Sequence, residues 1–208
     1  MSSSSRMPST PVLQTPRLVL RPLRTKDAPV IQKRFANWEV VRWLDAKVPW
    51  PYPADGAANF VNGCLAEMTR GEASHWALVP KKGPADLIGI ISLRPDDGET
   101  HDQRGFWLDP AFHGKGLMTE AADRVTDYAF RELDWPHLWV SNDDRNLASA
   151  RVKERQGARL VAFEPFRSVS GDGRRMVWLI EREAWLERST EASALPNIAA
   201  HKAKRSER

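Results

Sequence analysis

Alternation of apolar and polar positions predicts short β-strands along much of the chain. Residues 17–22, RLVLRP, alternate in this way, and residues 74–81 and 86–95 form two further apolar runs joined by the turn-like KGPA. A period of two buries one face of a strand, and glycine and proline between two runs favour a turn. We therefore expect an antiparallel hairpin from these two runs. Further strands are predicted at residues 104–109, 137–142, 158–166 and 174–181.

Apolar residues at helical spacing predict the helices. Residues 52–71 place Ala57, Val61 and Cys64 on one face, and Gly71 suits the end of that helix. Other helices are predicted at residues 25–44, as two short helices, and at 116–133 and 146–156. The resulting order, strands followed by β-α-β-α-β-β, indicates an α/β (α+β) protein with a mixed sheet and helices on both faces.

The composition indicates one soluble domain. Of 208 residues, 41% are apolar and 28% charged, and no apolar run approaches the roughly 20 residues of a membrane helix. Cys64 is the single cysteine, and the opening residues lack the apolar segment of a secretory signal. We therefore expect a domain at residues 13–188 in a reducing cytoplasm, without a membrane partner. Residues 1–12 and 189–208 are polar and aperiodic, so they are predicted to be disordered tails.

The net charge of +4 invites a nucleic-acid interpretation, so the position of the charge matters. Most of the excess lies in residues 1–16 and 189–208, and the body between them is close to neutral. The basic C-terminal tail is therefore either a solvated end or a contact for RNA or the ribosome.

Residues 109–125, DPAFHGKGLMTEAADRV, place two glycines around Lys115 between a predicted strand and a predicted helix. The first N–H groups of a helix lack intrahelical partners, and the helix dipole adds about half a positive charge there. Glycines let the backbone approach an anion closely, and Lys115 can supply a point charge. The stretch fits neither a Walker A loop nor a dinucleotide fingerprint. It predicts a diphosphate site, with an ordinary turn as the alternative.

Four motifs in sequence resemble the GCN5-related N-acetyltransferases (GNAT), specifically the RimJ/RimL-like branch that acetylates ribosomal-protein N-termini. They are TPRLVLRP at 15–22, LIGIISL at 87–93, the glycine loop and NLASARVKERQGA at 146–158. The resemblance implies a mixed, mostly antiparallel sheet of six to seven strands, with a central splayed parallel pair and helices on both faces. It also implies an enzyme that transfers an acetyl group from acetyl-CoA directly to a primary amine, without a metal ion.

The resemblance assigns the contacts of acetyl-CoA residue by residue. Its pyrophosphate would lie on backbone N–H groups of the glycine loop, and its pantetheine arm would run beside Leu108, between strands 104–109 and 137–142. Asn146 matches the asparagine that contacts pantetheine, and Ser149 the serine near the thioester sulfur, a candidate general acid. The alternative is that Asn146 only caps a helix with Ser149 in its first turn. The loop residues are His113, Gly114, Lys115, Gly116, Leu117, Met118 and Thr119.

Departures from the family pattern leave the acid–base chemistry open. Gln103 stands where relatives often carry a glutamate that is a candidate general base, and Lys153 where other branches carry a tyrosine general acid. The neighbouring loop offers Asp97, Glu99, His101 and Asp102 as substitutes. At pH 7 about one-tenth of an α-amine is neutral, against about 0.04% of a lysine, so an N-terminal α-amine needs little help from a base.

Aromatic residues supply the remaining clue. Trp50 and Tyr52 lie in VPWPYP, where relatives build one wall of the acceptor site, with a packed loop as the alternative. Trp43 lies on a periodic segment and is predicted to be a core residue. The sequence leaves open the amine acceptor and whether the protein is a monomer or a homodimer. It also leaves two rival functions, a catalytically silent acyl-CoA-binding regulator and a ribosome- or RNA-associated binding module.

Overall fold

Two antiparallel sheets form the scaffold of the computed structural model, which describes residues 6–194, except the side chains at 189 and 191–194. The strands in this range are β1 (Leu13–Gln14), β2 (Leu18–Pro22), β3 (Ser74–Pro80), β4 (Gly89–Leu93), β5 (Phe106–Leu108), β6 (His137–Asp143), β7 (Arg159–Ser168) and β8 (Gly171–Glu181). The α-helices are α1 (Ala28–Phe35), α2 (Trp38–Val41), α3 (Gly56–Arg70), α4 (Leu117–Arg131), α5 (Leu147–Arg155) and α6 (Arg182–Ala194). Single 3-10 turns cover Thr25–Asp27 and Pro110–Phe112.

The strands form two separate sheets rather than one continuous sheet. One sheet runs β1-β2-β3-β4-β5 and the other β6-β8-β7, and the ladders within the described residues are antiparallel. The two strands expected to form the splayed parallel pair, β5 and β6, therefore lie in different sheets. They are joined just before β5, where the Gln103 N–H donates to the Trp139 carbonyl at 2.9 Å. The α/β fold with mostly antiparallel strands is confirmed, and the splaying of β5 from β6 leaves an open edge of β5.

Helices cover both faces of the five-stranded sheet, as the sequence predicts. Successive side chains of a strand point to opposite faces. On β3, Trp76 packs into a cluster that contains Val125 of α4, whereas its neighbour Ala77 belongs to a second cluster with Val61 of α3. The sheet is thus held between α4 on one side and α1 to α3 on the other.

Glycines and one glutamine set the helix boundaries. Gly71 ends α3 in the left-handed conformation, with φ of 71°, which favours glycine. The start of α3 is Gly56, later than the predicted residue 52, because the side chain of Gln32 fastens the preceding loop. Its Nε2 donates to the Pro53 carbonyl at 2.9 Å, and its Oε1 accepts from the Ala57 N–H at 3.0 Å.

The ordered chain extends past both predicted domain boundaries. Met7 is buried and donates its N–H to the Gly71 carbonyl at 2.7 Å, and the Pro11 carbonyl accepts from Trp76 Nε1 at 2.7 Å. Residues 6–12 therefore run along the domain rather than forming a disordered tail, because an apolar side chain anchors them. At the other end α6 continues to Ala194. The remaining parts of the predicted tails, 1–5 and 195–208, lie outside the described residues.

A search for membrane-spanning segments gives a negative result for residues 6–194. Within that range, no helix has both the length and the apolar character needed to cross a bilayer.

Candidate functional site

A cavity of about 400 Å³ opens beside the free edge of β5. Its walls are strand β5, the loop 112–114, the first turn of α4, helix α5, and α2 with the residues that follow it. This arrangement brings together the segments that the sequence assigned to cofactor binding, from Leu108 to Ser149. In this cavity, the edge of β5 and the start of α4 face the same space.

The glycine loop presents backbone N–H groups to this cavity. Gly114 and Gly116 have φ of 72° and 71°, a conformation that favours glycine. A Cβ built on Gly114 would meet nothing within 4 Å, and one on Gly116 would come no closer than 3.6 Å to Arg17. Gly116 caps α4 without a side-chain hydrogen bond, so the first N–H groups of the helix remain available. The loop thus has the space, the donors and the dipole to bind an anion.

An ion pair on the outer side fixes this loop to the first sheet. Arg17 Nη1 donates to the Lys115 carbonyl at 2.8 Å, while Arg17 Nε donates to Glu120 Oε2 at 2.6 Å. Burial alone would raise the pKa of Glu120, but hydrogen bonds from Thr15 and Arg17 outweigh it and lower that pKa. Glu120 therefore stays ionised and holds the loop against residues 15–17.

Lys115 is placed differently from the sequence prediction. Its Nζ donates to the Ala111 carbonyl at 2.9 Å and lies 5.2 Å from the ring centroid of Phe112. The side chain therefore folds back along the outer turn and is not part of the cavity wall. The anion-binding capacity of the loop rests on backbone donors rather than on this lysine.

The open edge of β5 offers a second set of backbone groups. On the β4 side, the Gly105 carbonyl accepts from the Ser92 N–H, and the Asp109 N–H donates to the Ile88 carbonyl, both at 2.8 Å. Hydrogen-bonding direction alternates along an antiparallel strand, so Phe106 and Leu108 turn their N–H and C=O groups toward the cavity. Edge groups of this kind can bind an extended ligand as an additional strand.

His113 occupies one of these edge groups. Its Nε2 donates to the carbonyl of Leu108 at 2.8 Å, and both residues line the cavity. A ligand that pairs with the Leu108 carbonyl must therefore displace the imidazole from it.

Helix α5 contributes Asn146 and Ser149 to the opposite wall. Asn146 Oδ1 accepts from the Ser149 N–H at 3.1 Å, so Asn146 caps the helix and also faces the cavity. Both sequence interpretations of Asn146 are thus compatible. The Ser149 hydroxyl accepts from Lys153 Nζ at 2.8 Å, one helical turn further along.

Lys153 is the most unusual charged group near the cavity. Only 1% of its surface is exposed, and its Nζ lies 5.2 Å from the ring centroid of Phe106. Burial, and then repulsion from Arg104, lower the pKa of Lys153 to about 7, although Asp102 acts in the opposite direction. Sequence reasoning noted this position only as a missing tyrosine. The available signal was the spacing Ser149 to Lys153, because residues four apart share a helix face.

The residues considered as replacement bases have structural roles. Gln103 is buried, and its Oε1 accepts from the Trp139 N–H at 2.7 Å. Asp97 accepts hydrogen bonds from Thr100 and Glu99, which lower its pKa to about 2, so it is a poor base at neutral pH. His101 packs on Trp139 with ring centroids 4.7 Å apart.

Asp102 differs from the other candidate bases in that its environment disfavours the charge. Burial raises the pKa of its carboxyl, and the Ser141 N–H donates to Oδ1 at 3.3 Å. Like Lys153, Asp102 lies behind the cavity rather than in its wall.

Trp50 and Tyr52 are not brought to this cavity. Tyr52 packs its ring on Phe35, with centroids 5.0 Å apart, and the half-exposed Trp50 packs on Trp38 at 5.5 Å. The packed-loop alternative therefore describes them. The aromatic residues of the wall include Trp43, which the sequence assigned to the core, together with Phe106, Trp107 and Phe112.

The part of the wall that the sequence missed is polar as well as aromatic. Glu39 and Arg42 lie beside Trp43, and the Arg42 guanidinium carbon lies 4.5 Å from the Trp43 ring centroid. The sequence did not single out these residues, because a short helix beside a cavity has the same apolar periodicity as a short helix packed in the core.

Comparison with known proteins gives consistent matches. The model of the family described as "Acetyltransferase (GNAT) domain" matches residues 17–159. The chain is 24% identical to the Bacillus subtilis protein YnaD, an uncharacterized N-acetyltransferase, over 73% of this chain and 84% of YnaD. It is 49% identical to YjcK of Bacillus subtilis over 53 residues, which are 26% of this chain and only 29% of YjcK.

A solved structure shares the fold. The ribosomal L7/L12 alpha-N-protein acetyltransferase RimL, in complex with coenzyme A, superposes with a TM-score of 0.67 at 19% identity. The match covers 82% of this chain and 96% of RimL. At this level of identity the likeness establishes the fold.

Proposed function

Because the chain belongs to the GNAT acetyltransferase family, we propose that it transfers the acetyl group of acetyl-CoA to a primary amine. The observation that carries the proposal is the shared cavity of the glycine loop and the open edge of β5. One supplies donors for a diphosphate, and the other supplies backbone groups for an extended arm, and CoA has both parts joined in one molecule.

The proposed donor site uses the backbone of the glycine loop. In this proposal the N–H groups of Gly114, Gly116 and the first turn of α4, Leu117 to Thr119, hold the pyrophosphate. The open space in front of Gly114 supports this, because a side chain there would fill the position of the anion. The pantetheine arm would pair with Phe106 and Leu108 and contact Asn146. Lys115 acts only through its backbone.

The proposed reaction is direct attack of the neutral amine on the thioester carbonyl. A backbone N–H at the open edge of β5 polarises the carbonyl oxygen, and such oriented donors stabilise developing negative charge. The Ser149 hydroxyl lies in the cavity wall, where it can protonate the leaving thiolate. An α-amine suits this reaction, since at pH 7 a far larger fraction of it is neutral than of a lysine side chain.

We further propose a protein N-terminus as the first acceptor to test. The support is the RimL likeness and the wall formed by Glu39, Arg42 and Trp43, which offers both charge and an aromatic face to a peptide. A reducing cytoplasm suits the free, buried Cys64. A small amine remains the competing acceptor within the same reaction class.

Release of CoA thiol tests the proposal. The protein is incubated with acetyl-CoA and a panel of N-terminal peptides, polyamines and amino acids, and CoA release is compared with hydrolysis in the absence of amine. We expect amine-dependent release, and acetylated product by mass spectrometry. Gly114→Glu should abolish CoA binding in calorimetry, because it puts a side chain and a negative charge into the open space at the proposed pyrophosphate position. Binding of acetyl-CoA without amine-dependent release would favour a silent regulator instead.

A further inference from the structure

We propose that Lys153 supplies, through the hydroxyl of Ser149, the proton that the CoA sulfur takes up when it leaves the acetyl group. This inference rests on the proposed acetyl transfer and concerns how its leaving group is neutralised. Ser149 would be the group that touches the sulfur, and Lys153 a positioning and proton-supplying residue behind it.

The geometry is a two-step path from the protein interior to the cavity. Lys153 Nζ donates to Ser149 Oγ at 2.8 Å and lies 3.5 Å from the Ser149 carbonyl oxygen. Ser149 lines the cavity, whereas Lys153 does not and is 1% exposed. A proton on Lys153 can therefore reach the cavity through one hydroxyl, while substrate cannot reach Lys153 itself.

The partner of Lys153 is also informative. A buried lysine is normally paired with a carboxylate, because an isolated charge is costly to remove from water. In the described part of the chain, no carboxylate oxygen lies within 4.0 Å of Lys153 Nζ, and its hydrogen bonds there go to Ser149. A structural ion pair therefore does not explain this lysine, whereas a proton path does.

The surroundings set Lys153 between its two protonation states. Asp102, before β5, favours the ammonium, and Arg104 opposes it, while Arg175 on β8 acts in turn on Asp102. The ring of Phe106 covers Nζ from the β5 side. With burial, these groups lower the pKa of Lys153 to about 7, so both forms are populated near neutral pH. An acid of this kind can release and regain a proton in each cycle.

The step balances without an additional reactant. The carbon–nitrogen bond forms, the carbon–sulfur bond breaks, and sulfur leaves with the electron pair. Sulfur takes the Ser149 hydroxyl proton, and Ser149 takes a proton from Lys153 Nζ. The acceptor nitrogen releases one proton to solvent, and Lys153 regains one from solvent. The products are the amide and neutral CoA thiol.

The pH profile of turnover tests the path. In wild type, kcat should fall above about pH 7, as Lys153 loses its proton. Lys153→Met keeps the length of the side chain but has no proton to give. It should lower kcat by about a hundredfold, remove that fall, and leave KM for acetyl-CoA within about twofold. Lys82→Met, in the exposed β3–β4 turn, should retain the wild-type profile.

Variants of Ser149 test the same path without altering the buried lysine. Ser149→Ala breaks the path and should remove the fall above about pH 7, whereas Ser149→Thr keeps a hydroxyl and should retain it. The double variant Ser149→Ala/Lys153→Met should be no slower than the slower single variant, because residues that act as a unit are not additive. These variants keep the inference open to disproof even if Lys153→Met does not fold.

A change of leaving atom separates proton supply from a structural role. A selenolate is a much weaker base than a thiolate, so acetyl-seleno-CoA needs little protonation. Lys153→Met should lose about a hundredfold in kcat with acetyl-CoA but only about threefold with the selenium analogue. Equal losses with both donors, or a wild-type pH profile in Lys153→Met and Ser149→Ala, would overturn the inference while leaving acetyl transfer intact. Absence of amine-dependent turnover in wild type would instead overturn the proposed function, and this inference with it.

Discussion

At the residue scale, the side chain of His113 occupies part of the β5 edge to which the cofactor is proposed to bind. Its imidazole donates to the Leu108 carbonyl, one of the backbone groups that β5 turns toward the cavity. We predict that His113→Ala tightens CoA binding, because the ligand no longer has to break this bond. A hydrogen bond contributes about 0.5–1.5 kcal/mol net, so the gain should be about twofold to tenfold.

Calorimetric titration with CoA measures this effect. His113→Asn is the matched control, because it keeps a donor but shortens the reach to the carbonyl. Weaker binding in His113→Ala would instead mean that the imidazole contacts the bound cofactor.

At the residue scale, the sequence predicted backbone roles better than side-chain roles. Gly114, Gly116 and Asn146 follow from turn and cap rules that depend on local conformation, and the structure gives them the expected geometry. Lys115 could not be placed this way, because its side chain had several partners within reach. Lys153 was missed for a related reason, since the groups that act on its Nζ, which are Asp102, Arg104 and the ring of Phe106, lie far away in sequence.

At the scale of elements, the pairing of β4 with β5 determines the shape of the cavity edge. Gly89 lies opposite Leu108, and a Cβ on Gly89 would come within 2.4 Å of the Trp107 carbonyl oxygen. We predict that Gly89→Ala displaces β5, destabilises the protein by about 1–3 kcal/mol, and weakens CoA binding at the same time.

Gly105 provides the matched control on the same strand pair. A Cβ there would meet only the side-chain oxygen of Ser92, at 3.3 Å, which can move aside. Denaturant unfolding and CoA titration of both alanine variants give the comparison. Equal stability of Gly89→Ala and Gly105→Ala would contradict the close approach of β4 and β5.

The sequence predicted the elements well and their assembly less well. The β3–β4 hairpin and α4 follow from local periodicity, and both form where expected. The splaying of β5 and β6 was expected only from the family resemblance, and the bonds of Gln103 with Trp139 that hold the two segments together join residues that no local pattern connects. The early part of the chain at Met7 was likewise missed, because a single apolar anchor leaves no periodic signal.

At the scale of the whole molecule, buried polar side chains form a network between the residues before β5 and two helices. Arg104 is 2% exposed, and its Nη2 donates to Gln156 Oε1 at 2.7 Å, while Gln156 Nε2 donates to Asp123 Oδ1 at 2.9 Å. This network connects the approach to β5 with α4 and the end of α5. It positions the walls of the cavity relative to one another, and it also places a positive charge near Lys153.

Burial of Lys153 makes the free energy of unfolding depend on pH. Its pKa is about 7 in the folded protein and about 10.4 in the unfolded chain. Between these values the unfolded chain binds more protons, so wild-type stability should rise with pH, by at most about 1.4 kcal/mol per unit for this group. Below about pH 7 the buried ammonium is present and destabilising.

Lys153→Met removes this contribution, so we predict that it is more stable than wild type at about pH 7 and that its advantage shrinks toward pH 9. Denaturant unfolding at a series of pH values measures the difference, in which titrations common to both proteins cancel. Lys82→Met should follow wild type throughout, since Lys82 is exposed. Parallel stability curves for wild type and Lys153→Met would mean that Lys153 titrates as an ordinary lysine, and proton supply near neutral pH would then lose its physical basis.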